Sequence, residues 1–481
     1  MTQDLSANIA LNRFGYGLLR GESVPSDPRG YLLRQIDRFD PSPAAIAARE
    51  DVSHKPGEIL QMLRTMRRER QRSAASDASM MSAMESGDEA IPAEVRQSYQ
   101  RAGEFLRSDI ALRTNLAVGS ATPFAERLVH FWSNHFSVSA QKPGTHYLVA
   151  SHEFDTIRPH VFGRFSDMLK AAVLHPAMLI YLDQFQSVGP NSRFMQMRRR
   201  RQRQGGGGPQ GLNENLAREI FELHTLGVDG GYSQADVTEL ARALTGWTIS
   251  GIGRAARFAE DKPHGAAYLA PAHELGSRQI MGRSYRDSGA DQAISVLDDL
   301  ARHPSTAKFI ATKLARHFAG DEPPQSLVSK LETDFVESGG DLASLTRTLI
   351  DAPEAWTPDA VKYRAPFEWL VSVLRLTRVT NLNARRLSGA LDQIGQLPWR
   401  APSPAGYDDL EGSWAGPDAL FRRVELAERI ARNVPADDVL DQANSAFPGA
   451  LSDHTRTWLS RAESANQALG LLLVSPEMMR R

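Results

Sequence analysis

The sequence predicts a mainly α-helical protein, with one large multi-helix domain over residues 1–481 and a small irregular β insertion near residues 247–283. Apolar residues recur at three- and four-residue spacing along most of the chain, which is the period of a helix with one buried face. This period is clearest in residues 122–136, 164–182, 212–226, 234–246, 290–318, 325–337, 360–377 and 413–432. Strand-like runs, separated by Gly and Pro, are expected at residues 247–249, 257–258, 267–269 and 279–281.

A repeated proline corner supports the helical prediction. In four places an apolar helix is followed by a short break and then by a proline that opens the next helix: Pro176, Pro304, Pro353 and Pro476. Proline suits the first helical position because the missing N–H is not needed there. The repeat predicts helix–corner–helix units, as in an α-bundle or α-solenoid. His175 and His303 precede two of these prolines, where capping explains them as well as chemistry does.

Two segments are predicted to be flexible insertions. Residues 73–90 are small, polar and turn-rich, and residues 195–211 combine five arginines with a run of four glycines. The arginines lack interleaved aromatic residues and belong to a protein of net charge −1. Nucleic acid is therefore not expected as a partner.

The composition excludes several chemistries. Hydrophobic residues make up 41% of the chain, which is enough for a sizeable core. The absence of cysteine excludes disulfides, thiolate nucleophiles, iron–sulfur clusters and cysteine-ligated zinc. The first residues show no basic and apolar signal pattern, and no run of 18 apolar residues occurs. We therefore expect no transmembrane segment and a soluble protein, most simply a cytoplasmic one.

The helix predicted at residues 122–136 carries a histidine on its apolar face. Helical spacing places His135 beside Trp132 and Phe136. An imidazole in such surroundings is either a hydrogen-bonded core residue or a catalytic or metal-binding group. Glu126 and His130 fall on the opposite face, four residues apart; they are either ligands or, as we expect, an exposed pair.

The helix predicted at residues 212–226 carries the sharpest polar cluster. Its charged members share one face: Glu214, Arg218, Glu219 and Glu222. If this face is exposed, the residues form ordinary surface ion pairs. If other helices cover it, repulsion would raise at least one carboxyl pKa, and a general acid and base or a divalent-metal site would result. With His135, these residues are the candidate catalytic set. No cofactor can be named beyond a divalent metal, whose ligands stay unknown.

Several long motifs resemble a large bacterial family of uncharacterised proteins, domain of unknown function 1800. The motif residues lie at 12–17, 131–136, 175–183, 213–247, 303–311, 362–368 and 402–407. The resemblance implies no activity that could be transferred. It adds candidate substrate-binding residues: Trp132, Asn134, Asn213, Asn215, Asp236, Arg242 and Trp247. It also implies a partner, because family members are often encoded beside a sulfatase- or phosphatase-like family, domain of unknown function 1501.

Three functions follow as expectations. The first is a hydrolase that uses the carboxylate cluster on a polar, glycan-like polymer. The second is a non-catalytic helical scaffold, or an export partner of the phosphatase-like neighbour, which would place the protein in the periplasm. The third is a protein that binds a divalent metal through carboxylates and His135.

Overall fold

The computed structural model describes residues 2–50, 58, 62–65, 68, 93–202, 211–250, 260–261, 265–359, 362–380 and 382–481. These residues form a mainly α-helical structure with a small β portion, which confirms the predicted fold class. Residues 73–90 and 203–210 of the two predicted insertions lie outside the described residues. Residues 195–202 of the second insertion belong to a helix.

Twelve α-helices precede the β portion in the described residues. They are α1 (Gln3–Asn8), α2 (Pro28–Arg38), α3 (Ala44–Ala47), α4 (Ala93–Gly119), α5 (Pro123–His135), α6 (Val149–Ser151), α7 (Arg158–His160), α8 (Phe165–Val173), α9 (Pro176–Tyr181), α10 (Arg193–Gln202), α11 (Asn215–Glu219) and α12 (Gln234–Leu244).

Eleven further α-helices follow the β portion. They are α13 (Ala290–Ala301), α14 (Pro304–Ala319), α15 (Gln325–Ser338), α16 (Leu342–Asp351), α17 (Pro366–Thr377), α18 (Ala384–Gln393), α19 (Pro417–Asn433), α20 (Val439–Ala446), α21 (Asp453–Ser460), α22 (Ala465–Leu473) and α23 (Pro476–Met479). Neighbours in the chain often pack together, as α14 does with α15 and α15 with α16.

In the described parts of the chain, three π-helical turns continue α-helices: Ile9–Phe14 after α1, His152–Ile157 after α6, and Ile220–His224 after α11. Such wide turns are rare and often occur at functional sites. Four short 3₁₀ turns are also described: Gln184–Gln186, Ala270–Ala272, Pro353–Trp356 and Glu411–Ser413.

The β portion contains five short strands in the described residues. They are β1 (Trp247–Ile249), β2 (Glu260–Asp261), β3 (Ala266–Tyr268), β4 (Arg278–Ile280) and β5 (Arg283–Tyr285). The first sheet has the order β1-β3-β2 and the second is the pair β4-β5, all antiparallel. The predicted strands correspond to β1, β3 and β4 within one residue. Residues 257–258 lie outside the described part of the chain.

The proline corners are confirmed. Pro176, Pro304, Pro353 and Pro476 each lie in the first turn of a helix. The side chains of His175 and His303 accept the N–H of Ala177 and Ser305, each at 3.1 Å. Both histidines are therefore helix caps.

One main hydrophobic cluster extends through the described residues and covers α5 on both faces. This corrects the expectation that Glu126 is exposed: its side chain is 3% exposed and binds Arg158 through two hydrogen bonds of 2.7 and 2.9 Å. Arg158 is the first residue of α7, so the helical period of α5 alone could not show that Glu126 has a buried partner. His130 also differs from the expectation, because Tyr16 lies against it. No helix in the described residues is long and apolar enough to cross a bilayer.

Candidate functional site

A cavity of about 440 Å³ lies where segments from distant parts of the chain meet. Its walls come from the C-terminal half of α5, from α14, from the start of α17 and from the loop over residues 396–409. Tyr16, Arg113, Ser137 and Val138 also line the cavity. Its titratable groups include Lys313, His135, His317, Glu368 and Asp409.

Lys313 and His135 form the first polar pair in this cavity. The amine Nζ of Lys313 lies 3.2 Å from Nδ1 of His135. The other ring nitrogen of His135, Nε2, lies 3.1 Å from the backbone carbonyl of His224. Because a carbonyl can only accept, Nε2 carries the proton and Nδ1 presents its lone pair to the lysine.

The π-helical turn of residues 220–224 explains why the His224 carbonyl is available. The turn ends at His224, since Thr225 leaves the helical region with φ −131° and ψ −91°. The carbonyl of a terminal helical residue has no partner within its own helix. It is therefore free to accept from His135, and it fixes both the orientation and the tautomer of that ring.

The protonation of this pair is set mainly by burial. Burial lowers the pKa of His135 well below its ordinary value, and the charge of Lys313 lowers it further. Burial also lowers the pKa of Lys313 to about 8, with Asp409 opposing the change and Arg316 adding to it. No carboxylate lies within 4 Å of the Lys313 amine among the described residues. At neutral pH the cavity thus holds a neutral imidazole beside an ammonium group that has no carboxylate partner among the described residues. The pKa of this group lies only slightly above neutral.

His317 and Asp409 form the second polar pair. Nδ1 of His317 lies 3.0 Å from Oδ2 of Asp409 and donates its proton, since a carboxylate accepts. Burial lowers the pKa of His317. Burial alone would raise the pKa of Asp409, but His317 and Lys362 outweigh it and the pKa lies below its usual value. The pair is an ionised carboxylate that orients a neutral imidazole, an arrangement common in acid–base sites.

Glu368, at the start of α17, lies behind His317. Its carboxylate binds Arg127 of α5 and Arg481, with Nε of Arg481 at 3.1 Å. Nε2 of His317 lies 3.7 Å from Oε1 of Glu368 and has no hydrogen-bond partner in the described structure. Burial alone would raise the pKa of Glu368. The charges of Arg127, Arg481 and His317 outweigh burial, so the pKa lies well below its usual range and the carboxylate stays ionised.

Asn134 holds the loop that carries Asp409. Its side-chain amide donates to the Tyr407 carbonyl, and its side-chain oxygen accepts the Tyr407 N–H, both at 2.8 Å. Gly406 lies against the same residue with φ +85°, and a Cβ there would come 2.5 Å from the Asn134 backbone oxygen. The sequence therefore requires glycine at this close approach.

The acidic helix face lies outside the cavity. Glu214, Arg218 and Glu222 form ion pairs of 3.5 and 3.7 Å, with side chains 29–39% exposed. Glu214 also accepts hydrogen bonds from Gln234 and Thr238. The partial exposure favours the ion-pair interpretation. Burial and the neighbouring Glu222 nevertheless raise the pKa of Glu219, so a chemical role for that carboxyl stays a prediction.

Of the predicted site residues, His135 and Asn134 line the cavity. Trp132 packs in the core against His135, at 5.3 Å between ring centroids. The remaining predicted binding residues have structural contacts or are exposed. Asp236 caps α12 and accepts the Met281 N–H, and Arg242 pairs with Glu239. Trp247 packs on Tyr268, Asn213 donates to the Leu182 carbonyl, and Asn215 is exposed. The structure therefore does not gather the predicted set into one site.

The sequence analysis missed Lys313, His317, Glu368 and Asp409. A weak signal was present, because Lys313 and His317 are four residues apart and so share one face of α14. Asp409 follows the 402–407 motif by two residues, and Glu368 ends the 362–368 motif. Nothing in the sequence shows that these three segments meet.

No group of three or more histidine, aspartate or glutamate side chains is arranged to hold a metal ion within the described ranges. Residues 9–480 match the protein family described as "Protein of unknown function (DUF1800)". No curated protein matches the chain, and no solved structure does.

Proposed function

The chain belongs to the DUF1800 family of proteins of unknown function, and we propose that its cavity is the active site of an acid–base enzyme for a small anionic substrate. One observation carries this proposal. An amine with no carboxylate partner among the described residues, Lys313, lies in the cavity beside the lone pair of His135. A protein that uses lysine only for structure would pair such a buried charge.

The size and charge of the cavity support a small anionic substrate. A volume of about 440 Å³ lies within the range of small-molecule sites. Lys313 and Arg316 both line it, and neither pairs with a carboxylate among the described residues. A carboxylate or phosphate on the substrate would neutralise these two cations.

The two polar pairs support acid–base chemistry. A group that titrates near neutral pH exchanges protons most effectively, and Lys313 has that property. The pair of Asp409 and His317 provides a second acid–base group one helical turn away. We propose hydrolysis as the reaction: one group takes a proton from water while the other donates a proton to the leaving group.

The acidic helix is the competing site for the same reaction class. The raised pKa of Glu219 beside Glu222 favours it, and its partly exposed face would suit a polymer better than the cavity does. Variants of Lys313 and Glu219 therefore separate the two proposals.

The test is a hydrolysis screen with chromogenic esters, phosphomonoesters and glycosides, using wild-type protein and single variants. Lys313→Met is expected to lower turnover by about a hundredfold or more, and Glu219→Gln to leave it within about twofold. Lys330→Met is the matched control, because Lys330 pairs with Glu354 on the surface. Loss of turnover in Glu219→Gln, with Lys313→Met active, would move the site to the acidic helix.

A further inference from the structure

We propose that Lys313 is a covalent site, at which the amine condenses with the carbonyl group of a small 2-oxo acid to form an imine. The inference rests on the proposed function of the cavity and names the substrate class that the cavity accepts. It uses four features: the accessible amine, the adjacent lone pair, the apolar wall around the amine and the unpaired arginine nearby.

An amine attacks a carbonyl only when it has lost its proton. His135 orients the amine, because its Nδ1 lies 3.2 Å from Nζ and accepts a hydrogen bond from it. The pKa of the ring lies well below its usual value, so the proton itself passes to water. The tautomer cannot reverse without loss of the bond from Nε2 to the His224 carbonyl. No carboxylate among the described residues is close enough to hold the ammonium form.

The surroundings of the amine are partly apolar. Nζ lies over the ring of Phe309, 5.4 Å from its centroid, and Phe131 lines the cavity. A ring face attracts an ammonium group, but the loss of hydration outweighs this contact and the pKa is lowered. Desolvation by such groups is the usual way in which proteins activate a lysine as a nucleophile. Burial lowers the pKa of Lys313 to about 8, which agrees with this arrangement.

The step balances without an oxidant or a reductant. The amine nitrogen attacks the carbonyl carbon, a C–N bond forms, and the oxygen takes a proton to give a carbinolamine. A second proton converts the hydroxyl group into water, which leaves as the C=N bond forms. The ammonium proton passes to water before attack, and water gives the first proton to the carbonyl oxygen. His317 lies on the same face of α14 as Lys313, and its Nε2, which has no hydrogen-bond partner among the described residues, can take the proton from the attacking nitrogen and pass it to the leaving hydroxyl group.

Arg316 accounts for the anionic end of the substrate. It lies three residues from Lys313 on α14 and lines the cavity, and its Nε donates to the Asp321 carbonyl at 3.3 Å. Guanidinium groups recognise carboxylates through paired hydrogen bonds. The amine of Lys313 and the guanidinium of Arg316 are three residues apart on one helix and both line the cavity. A substrate that places a carbonyl carbon at the amine and a carboxylate at the guanidinium would suit them, as a 2-oxo acid does.

The experiment traps the imine by reduction. The full chain is incubated with glyoxylate and cyanoborohydride at neutral pH, then digested, and modified lysines are identified by mass spectrometry. Lys313 is expected to react at least about tenfold faster than the exposed Lys330. Labelling of Lys330 at an equal or higher rate would overturn the proposal.

Two variants protect the test against misfolding. Lys313→Arg keeps a cation and a long side chain, and it should remove labelling at this position without loss of the folded state. His135→Gln keeps a donor for the His224 carbonyl but changes the acceptor that faces Nζ, and it should slow labelling of Lys313. Unchanged labelling in His135→Gln would remove the orienting hydrogen bond from the proposal.

The outcomes also separate this inference from the proposed function. If Lys313 is not labelled but pyruvate without reductant raises the melting temperature of wild type and not of Lys313→Met, the imine is wrong and the anion-binding cavity stands. If Lys313 is labelled but Lys313→Met keeps full turnover in the hydrolysis screen, the imine stands and the proposed hydrolase is wrong.

Discussion

Three nitrogen bases lie close together, and burial lowers the pKa of each. Lys313 and His135 line the cavity, and the ring of His224 lies 6.2 Å from that of His135 between centroids. His224 has a pKa of about 3 and His135 one well below its usual value, so both rings are neutral across the physiological range. Lys313 has a pKa of about 8. Of these three groups, the lysine is the one that changes its charge near neutral pH, and the histidines provide fixed dipoles around it.

The charge on Lys313 should therefore cost stability at neutral pH. The amine has a pKa of about 8 in the folded state and an ordinary value of 10.5, so the unfolded chain binds more protons between these values. The penalty is present in full below pH 8 and disappears as the pH rises towards 10.5. We expect Lys313→Met to stabilise the protein at pH 7 by roughly 1–3 kcal/mol, and by much less at pH 10.

Urea unfolding of both proteins at pH 7 and pH 10 measures this difference. Lys330→Met is the control, since its exposed pair with Glu354 should contribute no more than about 1 kcal/mol. A Lys313→Met variant that is destabilised equally at both pH values would show that the hydrogen bond to His135 outweighs the cost of burial.

Residue-level prediction from the sequence succeeded where the cause was local. The aromatic surroundings of His135 follow from its position in α5, and the ring contacts confirm them. Lys313 and His317 could not be recognised in this way. Their helical period indicates a face of α14, but the carboxylate that orients His317 comes from a loop about 90 residues away.

Secondary-structure elements show the same division between local and distant causes. Proline corners and the capping box at Ser233 were predictable because each depends on a few adjacent residues. The π-helical turn of residues 220–224 was not, because π-turns are rare and no local sequence signal marks this one. This turn nevertheless connects the acidic helix to the cavity, because the carbonyl of its last residue, His224, accepts a hydrogen bond from His135.

The loop over residues 401–409 provides an element-scale prediction. Gly406→Ala adds a Cβ at φ +85°, 2.5 Å from the Asn134 backbone oxygen, so both hydrogen bonds between Asn134 and Tyr407 should weaken. We expect a loss of roughly 1–3 kcal/mol in unfolding free energy and faster amide exchange across the loop. Gly412→Ala is the matched control, because a Cβ there meets nothing within 4 Å. Equal losses of unfolding free energy in the two variants would contradict the role of Gly406 in holding the loop against Asn134.

At the scale of the whole molecule, the cavity depends on segments that are far apart in the chain. Arg127 of α5, His317 of α14 and Arg481 all meet the carboxylate of Glu368. Glu153 accepts hydrogen bonds from three residues that line the cavity, Arg113, Ser133 and Trp399. Helical periodicity predicts each of the surrounding helices but contains no information about which helix faces meet. For this reason the fold class was predictable from the sequence, and most of the site was not.

The Glu368 network also leads to a prediction for the stability of the whole fold. Glu368→Gln keeps the size of the side chain but removes the charge between two guanidinium groups whose side chains are fully buried. A buried ion pair adds little net stability, yet removal of one partner leaves an uncompensated charge, so we expect a loss of about 3–5 kcal/mol. Glu411→Gln is the control, because its ion pair with Arg480 is more than a third exposed and should contribute at most about 1 kcal/mol.

Chemical denaturation of the two glutamine variants compares these losses directly. Addition of Arg127→Met to Glu368→Gln removes one of the two stranded charges, so the double variant should be more stable than Glu368→Gln alone. If the second substitution instead adds its own full loss, Glu368 stabilises the fold through packing rather than charge. In the expected case, one carboxylate both joins the distant segments and opposes the lowering of the His317 pKa by burial, so under the proposed function the same residue serves stability and chemistry.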